Sequence, residues 1–535
     1  MRPSPGISCQ ATAATSGVYR VFKILPQQHF PGYHGASSHY DNHMTTRFAR
    51  LLVMVVGGAV LGLASAGWAQ DAVRPSDATP PLHLREAIVE SLAVSPRLRP
   101  ASEQLETAAI QQALAASRFG LKITPQLTTG RDPYALTQRN LGVTVSRQSP
   151  FGTQVQATAD TYTYGTSPND VRDAGYGFTV TQPLLRGFGP ATSAELVSAR
   201  RGVDASTRSL EDARQQLVVT TTAAYLNVLR QERLVDASER ALKRATKLNT
   251  MSEARSRVGL ATQLDVLRAD LLTSQAESAL TDQRAARADA LDELKLLLGR
   301  APESSLELSP EDLTEDGLAA AGLTPDLGDV PAGGAGDFVA VAMGTRLDVQ
   351  EARARIGDAQ LAASVAKWNL LPQLDLTVGY TRRGLGTPSS AVFSDLLTGW
   401  RYGVSTTYAL DRSQESAGYA RAQISLRSAE RAALELQQRA DVEVRRAYRA
   451  WLRAAQIIVI QEKALTLAQQ QLQIAQLRYE RGLAGNFDVV DAEAGVLQSQ
   501  SALIAAQVER AMAGLTLKRA TGTLHPARFL SSGTP

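Results

Sequence analysis

The sequence predicts a mainly α fold with a smaller β-barrel portion, built from duplicated halves that each combine a strand pair with very long helical hairpins. Residues 225–299 align with residues 448–522 without a gap, and roughly a third of the aligned pairs are identical. Residues 203–258 and 419–481 contain neither glycine nor proline, and as helices they would be roughly 85 to 95 Å long. Segments that alternate apolar and polar residues precede both stretches, as expected of half-buried strands.

The N-terminal region reads as a targeting segment. From Met44 onward, two arginines precede an apolar run over 51–66, and small residues follow it up to Ala69. This order is typical of a secretory signal peptide, and the run is shorter than the roughly 20 residues of a spanning helix. We expect cleavage after Ala69; a retained membrane anchor is the alternative. Residues 1–43 then read as a non-native upstream extension.

Composition argues against several functional classes. Lys and Arg number 56 against 52 Asp and Glu, without a basic block, so no nucleic-acid partner is expected. Cys9 is the single cysteine and four of the six histidines precede Met44, so neither a metal site nor a cofactor is expected. Motifs of nucleophilic, phosphate-binding and zinc-dependent enzymes are absent. The chain is therefore predicted not to be an enzyme.

The first half begins with a helix over about 84–118, followed by a β region over about 123–184. A long helix, a sharp turn and a returning helix come next. The β region is about 22 residues longer than its counterpart in the second half. The extra length is either an added hairpin around 149–152 or a long external loop.

The second half repeats this order, with a helix over about 345–370 and a β region over about 372–411. The apolar side of its strands would meet a core in a soluble protein and lipid in an outer-membrane barrel. Clusters of proline, glycine and acidic residues between the halves indicate a linker or partly ordered insert. The predicted boundaries are an extension (1–43), a signal peptide (44–69), a first repeat (70–300), the linker (301–338), a second repeat (339–524) and a tail (525–535).

With these features in view, the chain resembles the TolC-like outer-membrane efflux family over nearly all of its predicted mature length. The order, duplication and spacing of several short motifs carry the resemblance. They are LREAIVESLAVSPRL (84–98), VTQPLLRGFG (180–189), RSRVGLATQLDVLRA (255–269), LPQLDLTVGY (371–380), RYERGLAGNFDVVDA (478–492) and LKRATGTL (517–524). The resemblance implies a homotrimer in which each protomer gives four strands to a shared twelve-stranded outer-membrane β-barrel, while the long helices form a periplasmic α-barrel.

The function implied by the resemblance is that of an outer-membrane channel component of a tripartite efflux or type I secretion system. Such a channel is a passive, porin-like duct with a periplasmic extension, and its partners are outer-membrane lipid, a periplasmic adaptor and an inner-membrane pump. A periplasmic coiled-coil adaptor or structural trimer is the alternative. That alternative explains the helices but not the alternating strands that precede each long helix.

Two repeated turns are candidate ends of the helical hairpins. A glycine that follows a long helix suits the left-handed conformation that closes one. Plain C-capping explains the glycine alone, whereas the apolar residues after it recur in both halves, where an exposed turn would favour polar ones. By the resemblance, these turns dock an adaptor. They comprise Gly259, Leu260 and Ala261 in the first half and Gly482, Leu483 and Ala484 in the second.

Acidic residues follow both turns. Asp265 and Asp488 occupy equivalent places at the start of the returning helices, where a carboxylate complements the helix dipole. Asp491 shares a helix face with Asp488, and a threefold axis would multiply the pair into a ring of six carboxylates. The resemblance implies that this pair and Tyr479 form a periplasmic gate; a solvated surface pair is the alternative.

The closing network of this gate is expected to differ from that of the family. Ala484 replaces the basic residue that the family carries at the second turn. We therefore expect Arg478 or Arg481 to supply the cation that helps to hold the gate closed.

Overall fold

A computed structural model describes residues 81–131, 133, 136–165, 171–313, 317, 319, 334–386 and 397–531. The upstream extension and the signal peptide expected from the sequence lie outside these residues. Among the helices of the described residues, none is long and apolar enough to cross a membrane.

The first half contains four helices and four strands within its described residues. Its first predicted helix is divided at Ser95, because Pro96 opens a short 3₁₀ turn there. The elements are α1 (Leu84–Val94), α2 (Arg99–Ser117), β1 (Lys122–Arg131), β2 (Thr137–Gln148), β3 (Gln154–Gly165), β4 (Val171–Pro183), α3 (Pro190–Arg257) and α4 (Gln263–Leu298).

The second half repeats the helices but contains only two strands in the described residues. Its elements are α5 (Ala335–Thr345), α6 (Leu347–Trp368), β5 (Gln373–Gly386), β6 (Leu397–Thr407), α7 (Ser413–Glu480), α8 (Asn486–Thr521) and a final short α9 (Ala527–Ser531). Helix α5 begins inside the predicted linker and is the counterpart of α1, since both have 11 residues and precede a longer helix.

The long helices reproduce the duplication without any difference in length. Helices α3 and α7 each have 68 residues, and α4 and α8 each have 36. At 1.5 Å per residue α3 and α7 are about 100 Å long, which is longer than the sequence predicts. The difference arises because both continue through a glycine near their start, Gly202 or Gly418, at a cost of only about 1 kcal/mol.

All six strands form one antiparallel sheet in the order β1-β2-β3-β4-β5-β6. The pairing of β4 with β5, from Pro183 opposite Asp375 to Arg172 opposite Gly386, joins the two halves. The predicted strand pair is found in the second half, whereas the first half holds two pairs. The expectation of four strands per chain is therefore wrong for this protein, and the extra length is an added hairpin.

The sheet has one apolar and one polar face. Because side chains alternate along a strand, residues paired across the sheet share a face. One row across all six strands is wholly apolar, and the adjacent row consists of threonine and glycine. The apolar row is Ile123, Val145, Ala157, Phe178, Tyr380 and Trp400, and the polar row is Thr124, Thr144, Thr158, Gly177, Thr381 and Gly399.

The first part of the predicted linker is ordered against helix α3. Leu308 forms a parallel bridge with Leu82, and the buried carboxylate of Asp312 accepts hydrogen bonds from the Tyr225 hydroxyl at 2.5 Å and the Leu84 amide at 2.9 Å. Burial and the adjacent Asp312 carboxylate raise the pKa of Tyr225 above its ordinary value. These contacts fasten the segment before α1 and the segment after α4 to one point on α3.

Candidate functional site

The first hairpin turn is closed by glycine at its start and by a capping box at its end. Gly259 has a φ of +74°, and the Leu260 amide donates a hydrogen bond to the Arg255 carbonyl at 2.8 Å. Thr262 caps α4: its hydroxyl accepts from the Asp265 amide at 3.2 Å, and the Asp265 carboxylate accepts from the Thr262 amide at 3.0 Å. The turn is thus rigidly defined on both sides.

The second hairpin turn shares the glycine but not the capping side chain. Gly482 has a φ of +72°, and the Leu483 amide donates to the Arg478 carbonyl at 2.9 Å. Gly485 occupies the N-cap position of α8 and offers no side chain, while Asp488 lies in the first turn. Asp488 therefore acts on this helix through charge rather than through a capping hydrogen bond.

A leucine side chain is highly exposed at both turns. The side chain of Leu260 is 75% exposed and that of Leu483 is 70% exposed, whereas Ala261 and Ala484 are half-buried. Phe487 and Leu264 are also exposed at the start of the returning helices. Each hairpin end thus presents apolar surface to solvent, which is unusual for a tight turn and typical of a contact surface.

Tyr479 is buried by side chains from the other hairpin. Its hydroxyl lies 2.9 Å from the Ser252 hydroxyl, and the Arg255 guanidinium lies over its ring, 4.6 Å from the centroid. Arg255 also donates hydrogen bonds to the carbonyl oxygens of Tyr479 at 2.5 Å and Glu480 at 2.6 Å. We name Ser252, Arg255 and Tyr479 the latch, because these three residues fasten the end of α7 to the end of α3.

Further contacts join the returning helices near the latch. The buried Asn486 donates from its side-chain amide to the Asp265 carbonyl at 2.5 Å, and the Arg268 guanidinium lies 5.6 Å from the Phe487 ring centroid. An apolar cluster that includes Leu248, Ala269, Leu472 and Val489 fills the space behind them; its other members are Ala475, Tyr479, Ala492 and Val496. The two hairpin ends of one chain therefore pack as a single unit.

A charged pair lies behind this cluster. Arg244 on α3 and Glu493 on α8 are 2.5 Å apart, and the carboxylate is largely buried. Burial raises the pKa of the Glu493 carboxyl above its ordinary value, although Arg244 opposes the shift. Acid would therefore discharge Glu493 before it discharged ordinary exposed glutamates.

The sequence singled out Tyr479, as a gate residue, but not the arginine that contacts it. Arg478 and Arg481 are exposed, and it is Arg255 that contacts Tyr479. Arg255 and Arg478 occupy equivalent positions of the repeat, 223 residues apart. Because the two arginines are equivalent in the repeat, the sequence gives no reason to prefer either. The packing distinguishes them, since Arg255 faces the other hairpin.

Asp488 and Asp491 are both exposed on one face of α8. Within the described residues neither carboxylate takes part in a side-chain hydrogen bond or ion pair. The described residues also contain no group of three or more His, Cys, Asp or Glu side chains placed to hold a metal ion. Among the described residues, Asp488 and Asp491 therefore have no ion-pair partner.

We expect Asp265→Asn to lower stability by about 0.5 to 1 kcal/mol, because it weakens a capping box and removes a charge that complements the helix dipole. Asp488→Asn is the matched comparison, since it removes a charge but no capping hydrogen bond, and it should cost less. The midpoint of thermal dissociation measures both. A change of ion selectivity in Asp265→Asn at unaltered stability would contradict the capping role.

The family model for outer membrane efflux proteins matches residues 87–300 and 340–523 of this chain. The chain belongs to the outer membrane efflux protein family. The two matched segments include both hairpin turns and the latch, so the candidate site lies within the part that defines this efflux protein as a family member. No curated protein matches the efflux protein by sequence.

Solved structures share the fold of this efflux protein. The outer-membrane channel OprN is 20% identical, covers 83% of this chain and 90% of its own, and has a TM-score of 0.64. CusC is 17% identical, with 86% and 95% covered and a TM-score of 0.65. The outer membrane protein VceC from Vibrio cholerae is 20% identical, with 82% and 96% covered and a TM-score of 0.62.

Proposed function

We propose that three copies of this chain form a channel in the outer membrane, through which an inner-membrane pump exports its substrates with the help of a periplasmic adaptor. The family is one of outer membrane efflux proteins. The channel is a passive duct of a tripartite efflux or type I secretion system, and the pump supplies the energy. The protein itself catalyses no reaction.

The two-faced sheet is the observation that carries this proposal. Its apolar face bears exposed side chains such as Leu127, Val143, Phe178 and Val404, which would be unfavourable in water and favourable in lipid. Its other face is polar, as the lining of a water-filled lumen requires. In a periplasmic coiled-coil adaptor, which is surrounded by water, the exposed apolar face of such a sheet would be unfavourable.

In this channel the hairpin ends, about 100 Å from the sheet along α3 and α7, extend into the periplasm. The exposed Leu260 and Leu483 form the surface on which the adaptor docks. Around a threefold axis, the latch keeps each hairpin pair together, and its release widens the periplasmic opening. The gate thus consists of Tyr479 with its partners and of the carboxylates Asp488 and Asp491.

The paired carboxylates make the closed opening selective for cations. Three copies of Asp488 and Asp491 form a ring of six carboxylates, and acidic rings attract cations and disfavour anions. We expect Asp488→Ala combined with Asp491→Ala to lower cation selectivity and to weaken block by multivalent cations in planar-bilayer recordings. Unchanged selectivity in the double variant would remove these residues from the gate.

A further inference from the structure

The hairpin formed by β2 and β3 is an integral part of the sheet rather than an appended loop. Both strands have 12 residues; β2 pairs with β1 from Lys122 opposite Ser146 to Arg131 opposite Thr137. Strand β3 pairs with β4 from Gln154 opposite Thr181 to Tyr164 opposite Val171. The hairpin thus separates β1 from β4 over their whole paired length.

Both faces of the sheet continue across this hairpin. Val145 and Ala157 lie in the apolar row, and Thr144 and Thr158 lie in the adjacent polar row. A one-residue shift in either strand would exchange the faces. The hairpin therefore has the pattern of a strand pair that contacts lipid on one side and water on the other.

Side chains also tie the hairpin to the second half of the chain. Asp160 on β3 pairs with Arg383 on β5 at 2.8 Å, across the intervening β4, whose Asp173 pairs with the same guanidinium at 2.7 Å. The turn at the other end of the hairpin is anchored too, because the Gly189 amide donates to the Phe151 carbonyl at 3.3 Å. At Gly152, which has a φ of +99°, an added Cβ would collide with the Gly187 carbonyl oxygen.

Within the described residues, β1 and β6 are the two unpaired edges of the sheet, and they can pair with one another between copies. Every residue of β1 and of β6 is exposed, and the strands have 10 and 11 residues. Because the strands alternate in direction and their number is even, β1 of one copy and β6 of the next run antiparallel when placed side by side. Unpaired edges of this length are normally covered or closed into a ring.

We propose that β1 of each copy pairs with β6 of its neighbour and that the three copies of the proposed channel close an eighteen-stranded barrel, with the β2–β3 hairpin supplying six of the strands. This inference rests on the proposed function for the number of copies. Barrel diameter grows roughly in proportion to strand number, so this barrel is about 1.5 times as wide as a twelve-stranded one. The β2–β3 hairpin thus widens the β-barrel at the outer end of the duct.

Electron cryomicroscopy of the full-length protein, purified from outer membranes, tests this inference by counting the strands of the barrel. We expect eighteen strands in one closed ring, with β1 against β6 at three seams. A closed ring of twelve strands with the hairpin outside it would overturn the inference and leave the proposed function intact. A soluble chain that forms no ring would overturn both.

A deletion variant supplies the matched comparison. Removing residues 132–165 leaves β1 to pair with β4, and the faces stay in register because Lys122 and Thr179 belong to the same row across the sheet. We expect this variant to form a ring of twelve strands with a diameter about two thirds of the original. An unchanged barrel diameter would overturn the inference. If the variant fails to assemble, the strand count of the intact protein decides alone.

Discussion

Replacing Arg255 with alanine is expected to open the channel. The change removes two hydrogen bonds to the Tyr479 and Glu480 carbonyls and the cation over the Tyr479 ring. A hydrogen bond from a charged group contributes about 1.5 to 3 kcal/mol, and a loss of about 1.4 kcal/mol already raises the ratio of open to closed channels tenfold. We expect single-channel conductance in planar bilayers to rise several-fold, and further when Ser252→Ala is added.

Two variants at this site separate the latch from a general effect of charge. Arg257→Ala removes a cation two residues away that is 79% exposed and that, among the described residues, forms an ion pair only with Glu253 of its own helix, at 3.6 Å. Conductance should therefore not change. Arg255→Lys keeps the charge but loses the planar fork that reaches both carbonyls, and an intermediate conductance is expected. Equal conductance in Arg255→Ala and Arg257→Ala would rule out the latch.

The second large effect is expected at the hairpin turns. Leu260→Asp combined with Leu483→Asp places a charge on each of the two proposed docking surfaces, and an unpaired charge buried in a contact costs several kcal/mol. We expect export to be abolished, because the adaptor can no longer bind, while the trimer still assembles. Export is measured in the native host. Assembly is measured on gels, where the trimer is recognised because it dissociates on heating.

Leu296 offers a control for this double variant. It is 66% exposed on α4, near the opposite end of that helix from the turn. Leu296→Asp therefore adds the same charge to the same hairpin without altering its end, and export should persist. Unchanged export in the double variant at the turns would count against the docking role.

Periodicity and duplication were sufficient to predict the two long helical hairpins. An insertion within a helix rotates every later side chain by about 100°, so the gap-free match that begins at Tyr225 and ends at Gly299 in the first half indicated helices in both halves. The role of the glycines at both turns could also be predicted from the sequence, because a glycine between two helical patterns typically adopts the left-handed conformation that ends the first helix.

The number of strands and the contacts of the latch could not be predicted from the sequence. The β region over about 123–184 was predicted, but whether its extra length formed a hairpin within the sheet depended on contacts such as that of Asp160 with Arg383. The latch joins residues more than 220 positions apart, and its cation is one of two equivalent arginines. Only the packing of one hairpin against the other distinguishes them.

Membrane fractionation of cells that produce the full-length chain tests the central claim most directly. If the apolar face of the sheet meets lipid, the protein is recovered in the outer-membrane fraction as a trimer that dissociates on heating. Recovery as a soluble monomer in the periplasmic fraction would contradict the account.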